Sequence, residues 1–267
     1  MKNMSTSKRL LKCLYEKKYA ELPSSLDGKF DIKIAYQVAM EICEARDLQG
    51  EKLEGIKVGF TNMNIWKQYN VNVPIFGPMY SSTVINYNNK FNVNRYLEPK
   101  FEPEIYFKLK KYPNSKMTDL ELLDCCSHFG VGIEIVQSIF EGWKFSAPDA
   151  IAAFGLHGQF KKLKEINLAG YSEGIEALGR SLSNFSLTLV RNGEVVEKGH
   201  ARNILGKGPV ESLRAYVLFC EKYIKDWLLL DKPITTGTIT NAYDVHEGEE
   251  YLLAFDNIQI EAIKTKV

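Results

Sequence analysis

Apolar residues recur at helical spacing twice near the start of the chain. From Ser7 to about Ala20, Leu10, Leu11, Leu14 and Tyr15 fall on one face; between Asp31 and Arg46, Ile34, Ala35, Val38, Ala39 and Ile42 do the same. Two amphipathic helices are therefore predicted. After Gly55 the apolar run from Ile56 to Phe60 reads as a strand, and Tyr69 to Met79, broken by Pro74, Gly77 and Pro78, reads as a loop. A boundary placed there divides a helical N-terminal part, residues 1–77, from a larger part, residues 78–267.

Beyond it the period shifts toward two. Glu102 to Leu109 alternates, with Glu102, Glu104, Tyr106 and Lys108 on one face and Ile105, Phe107 and Leu109 on the other. Thr118 with Glu121 forms a capping-box pattern that opens a helix to about Ser127, and Gly130 to Val136 reads as a strand. Asn192-Gly193 between two β-rich runs, Phe185 to Val190 and Val195 to Lys198, signals a hairpin. Pro209 suits the first turn of a helix reaching about Trp227, and Tyr251 to Phe255 and Ile258 to Ile263 read as closing strands. The pattern predicts an α+β protein, mixed and β-rich after a small helical start.

Composition narrows the partners. Against 34 basic residues stand 33 acidic ones, so no global field draws in nucleic acid or an acidic membrane, and no stretch reaches signal-peptide or membrane-span length. The expected partners are small molecules and other protein chains. The five cysteines are an odd set, with Cys125 and Cys126 adjacent, and read as free thiols of a cytoplasmic protein. His128, His157, His200 and His246 are scattered without metal-motif spacing, and read as surface or core hydrogen-bonders. Lys161, Lys162 and Lys164 read as a solvated turn. Trp66 and Tyr69 read equally as core packing or as a lid beside the proline-rich loop.

The candidate chemistry lies in carboxylates. Glu102 and Glu104, two apart on a strand, emerge from one face, and by spacing alone they read as an ordinary solvent-facing edge. Glu134 differs, because it stands between Ile133 and Ile135 where an unpaired carboxylate is costly. A basic partner, simple exposure, or a cation shared with Glu102 and Glu104 would each compensate it. Oxygen ligands alone select a hard cation such as Mg2+ or Mn2+.

Several segments then become recognisable together. Lys57-Val-Gly-Phe-Thr61, Pro74-Ile-Phe-Gly77, Glu102-Pro-Glu-Ile105, Ile133-Glu-Ile135, Glu141-Gly-Trp-Lys-Phe145 with Pro148-Asp149, Arg191-Asn-Gly-Glu-Val195, Leu205-Gly206 and Pro209 follow one another in order. In this order and spacing the chain resembles the 2-keto-4-pentenoate hydratase / 4-oxalocrotonate decarboxylase family of the fumarylacetoacetate hydrolase superfamily. The resemblance implies a fumarylacetoacetate-hydrolase-like C-terminal domain, with Glu102, Glu104 and Glu134 as ligands of Mg2+ or Mn2+ and Lys57 as the active-site lysine. It places Val71 and Ile75 against the substrate. Hydratases of this family usually carry an aspartate at the position of Ile75, so Ile75 implies decarboxylation of an unsaturated 2-oxo dicarboxylic acid through a metal-stabilised dienolate. Homo-oligomers, or a complex with a homologous hydratase, are also implied.

The pocket departs from the family pattern. Thr61-Asn62 replaces a Thr-Ser pair, Phe154 ends a segment usually written Ala-Asp-Asn, and Thr240-Asn241 stands where a Thr-Gly turn is expected. Asn62, Phe154, Thr240 and Asn241 are thus expected to contact and reshape the substrate site. Two alternatives stay open: a hydratase or another 2-oxo acid lyase or hydrolase with a diverged substrate, and a non-catalytic homologue that partners an active chain.

Overall fold

The computed structural model describes residues 4–69 and 71–267, and the side chains of these except residues 64, 68 and 69. The first predicted helix is α1 (Thr6–Tyr15), whose N-cap Ser5 accepts from the Lys8 N–H. A single turn, α2 (Pro23–Leu26), leads to α3 (Ile32–Leu48), capped by Asp31 and burying the expected stripe of Ala35, Val38, Ala39 and Ile42. Strand β1 (Leu53–Gly59), the short α4 (Trp66–Tyr69), β2 (Ile75–Tyr80) and β3 (Val84–Ile85) follow. Next come β4 (Lys100–Leu109), α5 (Asp119–Asp124) with the predicted capping box at Thr118 and Glu121, and β5 (Cys126–Val136). After α6 (Ala147–Ala152), β6 (His157–Asn167) and α7 (Gly174–Asn184), the hairpin β7 (Ser186–Arg191) and β8 (Glu194–His200) turns through Asn192 and Gly193, both at positive φ. Helix α8 (Pro209–Lys222), β9 (Ile234–Thr238), β10 (Tyr243–Asp244), β11 (Glu250–Asp256) and β12 (Ile263–Lys266) complete the chain.

Among the described residues the strands form two sheets. The larger runs β2-β1-β9-β4-β5-β6-β3, with β10 beside β4, and the smaller runs β12-β11-β7-β8. The fold is α+β, a β-rich domain with a small helical N-terminal region. One core fills the space beneath the large sheet, where Phe101, Phe107 and Phe129 meet Leu213 and Val217 of α8. A second joins Leu10, Val38 and Ile42 of the N-terminal helices to Ile75 and to Ala150 and Ile151 of α6. Chain entry and sheet edge are therefore packed together. No helix of the described residues is long and apolar enough to cross a membrane, and all five cysteines are free.

Three expectations fail locally. The segment expected as a loop contains β2, which is fully buried, pairs antiparallel with β1, and carries the boundary at residue 77 through its middle. Pro78 is tolerated because β2 is an edge strand, where a missing N–H breaks no ladder. Lys161, Lys162 and Lys164 lie on β6 rather than in a turn, and Lys161 is buried. The last strand begins at Ile263; Ile258 and Ile260 precede it in irregular chain, buried all the same.

Candidate metal centre

The register of β4 and β5 sets Glu102 directly opposite Glu134, and Glu104 opposite Gly132. Side chains alternate along β4, so Glu102 and Glu104 share the face that Glu134 reaches from the neighbouring strand. One ligand oxygen from each of Glu102, Glu104 and Glu134 lies within 4.8 Å of the others. Like charges on opposed residues destabilise a sheet. At 4.8 Å each such pair repels by roughly 3 kcal/mol at an effective dielectric of 20. Something must offset this, and the surroundings do so only in part.

Glu134 is the best supported. Lys57, from the centre of β1, brings its Nζ to 3.0 Å from Oε2, while His157, the first residue of β6, brings Nδ1 to 2.8 Å from Oε1. The His157 Nε2 meets the Thr83 hydroxyl at 2.9 Å. Since the carboxylate accepts, Nδ1 carries the proton and Nε2 is left to accept from Thr83. Burial acts to raise Glu134, but the Lys57 charge and the His157 hydrogen bond prevail and hold it below the ordinary carboxylate range. Burial likewise acts against the Lys57 ammonium, and the three carboxylates, Glu134 foremost, more than reverse it. Burial lowers His157, which stays neutral.

Glu104 and Glu102 lack such help. Glu104 accepts one hydrogen bond, from the Gly237 N–H at 2.8 Å, and its other oxygen has no partner among the described residues. Burial and the neighbouring Glu134 and Glu102 push its pKa well above the usual range. Glu102 faces a cavity and is half-buried; its burial, offset by Lys57 and reinforced by Glu134, pushes its pKa up to about 7. An orphaned buried carboxylate oxygen beside two further converging carboxylates fits a hard divalent cation.

The cavity over Glu102 has a volume of about 240 Å3. Thr61, Asn62 and Thr240 line one part of its wall, and Ile75, Trp143 and Phe145 give it apolar surface. Lys100 also borders it, pairing with Asp244 at 3.1 Å and lying 5.1 Å from the Trp143 ring. Of the expected substrate residues, Asn62, Ile75, Thr240 and Asn241 line this space. Val71 and Phe154 do not. Val71 is half-buried outside the lining, and Phe154 belongs to the N-terminal core. Phe154, Gly155 and Leu156 form a left-handed turn, with φ of 63°, 60° and 64°, that sends the ring into the core and presents Gly155 to the cavity. The side chain of Tyr69 lies outside the described residues. The Trp66 indole donates to the Phe60 carbonyl at 2.7 Å.

The expected Thr-Gly turn is also displaced. Gly237, four residues before Asn241, has φ +92, and a Cβ there would lie 1.8 Å from the Thr61 hydroxyl oxygen. Only glycine permits both this conformation and this approach. Asn241 sits at the rim, where its N–H donates to Glu197 at 2.9 Å. His157, Thr83 and Gly237 were missed by sequence reasoning; the Thr-Gly pair at Thr236-Gly237 was the available signal, whereas His157 carries none, since its partner lies 23 residues away on another strand.

No protein-family model matches the chain. In sequence it is similar to a 4-oxalocrotonate decarboxylase of a Pseudomonas species, 26% identical over 203 residues, 72% of this chain and 75% of that one. It is similar also to a 2-keto-4-pentenoate hydratase of Paraburkholderia phymatum, 25% identical over 216 residues, 78% and 74% of the two chains. In fold it matches 4-oxalocrotonate decarboxylase from Pseudomonas putida G7 complexed with magnesium and adipate, with a TM-score of 0.84 over 98% of this chain and 95% of that one at 19% identity. Sequence and fold together match the fumarylacetoacetate hydrolase superfamily, on the side of the 4-oxalocrotonate decarboxylases and 2-keto-4-pentenoate hydratases.

Proposed function

We propose that this chain is a metal-dependent decarboxylase of an unsaturated 2-oxo dicarboxylic acid, with Glu102, Glu104 and Glu134 holding Mg2+ or Mn2+. The observation that supports this reading best is the three converging carboxylates, one of them ion-paired to the buried Lys57, beneath a cavity walled by Ile75, Trp143 and Phe145. Relatives described as decarboxylases and hydratases agree with the class.

When bound, the cation supplies a Lewis acid for a 2-oxo carbonyl. The protein's own residues do the rest. Lys57, held charged by Glu134, offers a positive charge where electrons collect after the distal C–C bond breaks and CO2 departs. The Lys57 ammonium then gives a proton to the dienolate carbon and regains one from solvent, which completes the balance. Ile75 and the aromatic pair exclude water from the departing carboxylate, and hydration, which needs a positioned water, finds no carboxylate at Ile75 to orient one. Lys100 adds a cation for the distal end of an incoming dianion. Thr61, Asn62 and Thr240 supply hydrogen bonds for the polar end.

The test is 2-oxo-3-hexenedioate with the purified protein and Mg2+ or Mn2+. Loss of the substrate's ultraviolet absorbance with equimolar CO2 is expected. Water addition to a 2-hydroxydienoate without CO2 release would assign the hydratase alternative, and metal binding without turnover of any 2-oxo acid would assign the non-catalytic one.

A further inference from the structure

Lys161 is a second buried lysine, and its surroundings differ from those of Lys57. Its exposure is 5%, yet among the described residues its ammonium has no carboxylate within ion-pair distance and no hydrogen-bond partner. It lies 4.8 Å from the centre of the Phe91 ring and 5.8 Å from that of Tyr87. Two ring faces recover only part of the hydration that burial removes, and burial lowers the lysine pKa accordingly. The stem is buried while the ammonium still meets the groove, unpaired.

The space beside it can hold one. Lys161 borders a groove of about 670 Å3 that shares no lining residue with the cavity over Glu102. Among the described residues Lys90 and Lys264 stand at its wall without ion pairs, and the one acidic residue there, Glu250, is engaged by Lys266 at 3.3 Å. The Thr265 hydroxyl also borders the groove, buried and without a partner. An unpaired ammonium at the groove, an unpartnered hydroxyl in its wall and an excess of positive charge thus share one concavity. Ring faces repel anions, so a ligand would meet the ammonium from the groove side.

We propose that this groove binds a small oxyanion, a carboxylate or a phosphate, at the Lys161 ammonium, with Lys90 and Lys264 supplying the surrounding field. The test uses thermal melts of the full chain, with and without Mn2+, in sodium succinate or sodium phosphate against sodium chloride at matched ionic strength. One of the two anions is expected to raise the wild-type Tm by about 3–6 °C at about ten times its Kd, and the one that does identifies the chemistry. Lys161→Met should melt higher than wild type without anion and lose the anion-specific shift. Lys161→Gln, which keeps a donor without the charge, should fold and lose the shift as well. The proposal is overturned if wild type responds to succinate and phosphate no more than to chloride, or if either variant keeps the full shift. It is equally overturned if Lys161→Glu dissociates an oligomer, which would assign the lysine to an acidic side chain of a second copy.

Discussion

Metal binding at the three glutamates should release protons, and the structure says from which groups. Without a cation, Glu104 lies well above the ordinary carboxylate range and Glu102 at about 7, while Glu134 is held below it by Lys57 and His157. A metal ligand must be ionised, so the proton that Glu102 holds below about pH 7 leaves on binding, together with whatever proton Glu104 retains. Affinity for Mn2+ should therefore rise with pH, by about tenfold from pH 6 to 8 through Glu102 alone and by more as Glu104 adds its proton. Three carboxylates with ordinary values would already be ionised at pH 6 and would show almost no change. Calorimetric titration with Mn2+ in two buffers of different ionisation enthalpy reads the proton count directly. An affinity constant to within about threefold over this range, with no proton released, would refute the reasoning.

The same groups predict a sign for stability. The folded metal-free protein holds the Glu102 proton more tightly than the unfolded chain, whose value is 4.5, so this contribution is complete below 4.5 and is lost as pH rises through about 7. Its size is at most about 3 kcal/mol, reduced because Glu102 partly faces the cavity. In EDTA, Tm should fall between pH 5 and 7; with saturating Mn2+ the fall should vanish.

Three substitutions probe the rest. Lys57→Met leaves Glu134 buried beside His157 alone, and a cost of about 3–5 kcal/mol is expected by denaturant titration, with loss of turnover even at saturating metal. His157→Gln should weaken Mn2+ binding by roughly 10- to 100-fold in calorimetry while a metal-saturated enzyme keeps most of its kcat; an unchanged Kd would remove His157 from the site. Gly237→Ala places a methyl on the Thr61 side chain at a positive φ, and should lower Tm and metal affinity together, since Gly237 also donates to Glu104. An unchanged melt would show that Thr61 moves freely.

The legibility of this protein follows the range of the interactions involved. Helical periodicity, the Thr118 capping box, the Asn192-Gly193 turn and the Pro209 start are local, and each produced the element predicted from it. The alternation of Glu102 and Glu104 and the apolar setting of Glu134 are local as well, so the sequence alone could nominate a metal site without deciding between a cation, a basic partner and simple exposure. Tertiary structure supplied the basic partner and gathered the carboxylates a cation would need: strand order brought Lys57 from β1 to Glu134, and strand register put Glu102 opposite Glu134. Proline and glycine at residues 74–78 read as a loop because the sequence does not say that β2 lies at a sheet edge. Phe154 could not be placed, because a left-handed turn reverses the direction in which its side chain leaves the chain. His157 and Lys161 were invisible for the same reason: whether a polar side chain is satisfied depends on what the fold sets beside it, and their neighbours come from distant segments.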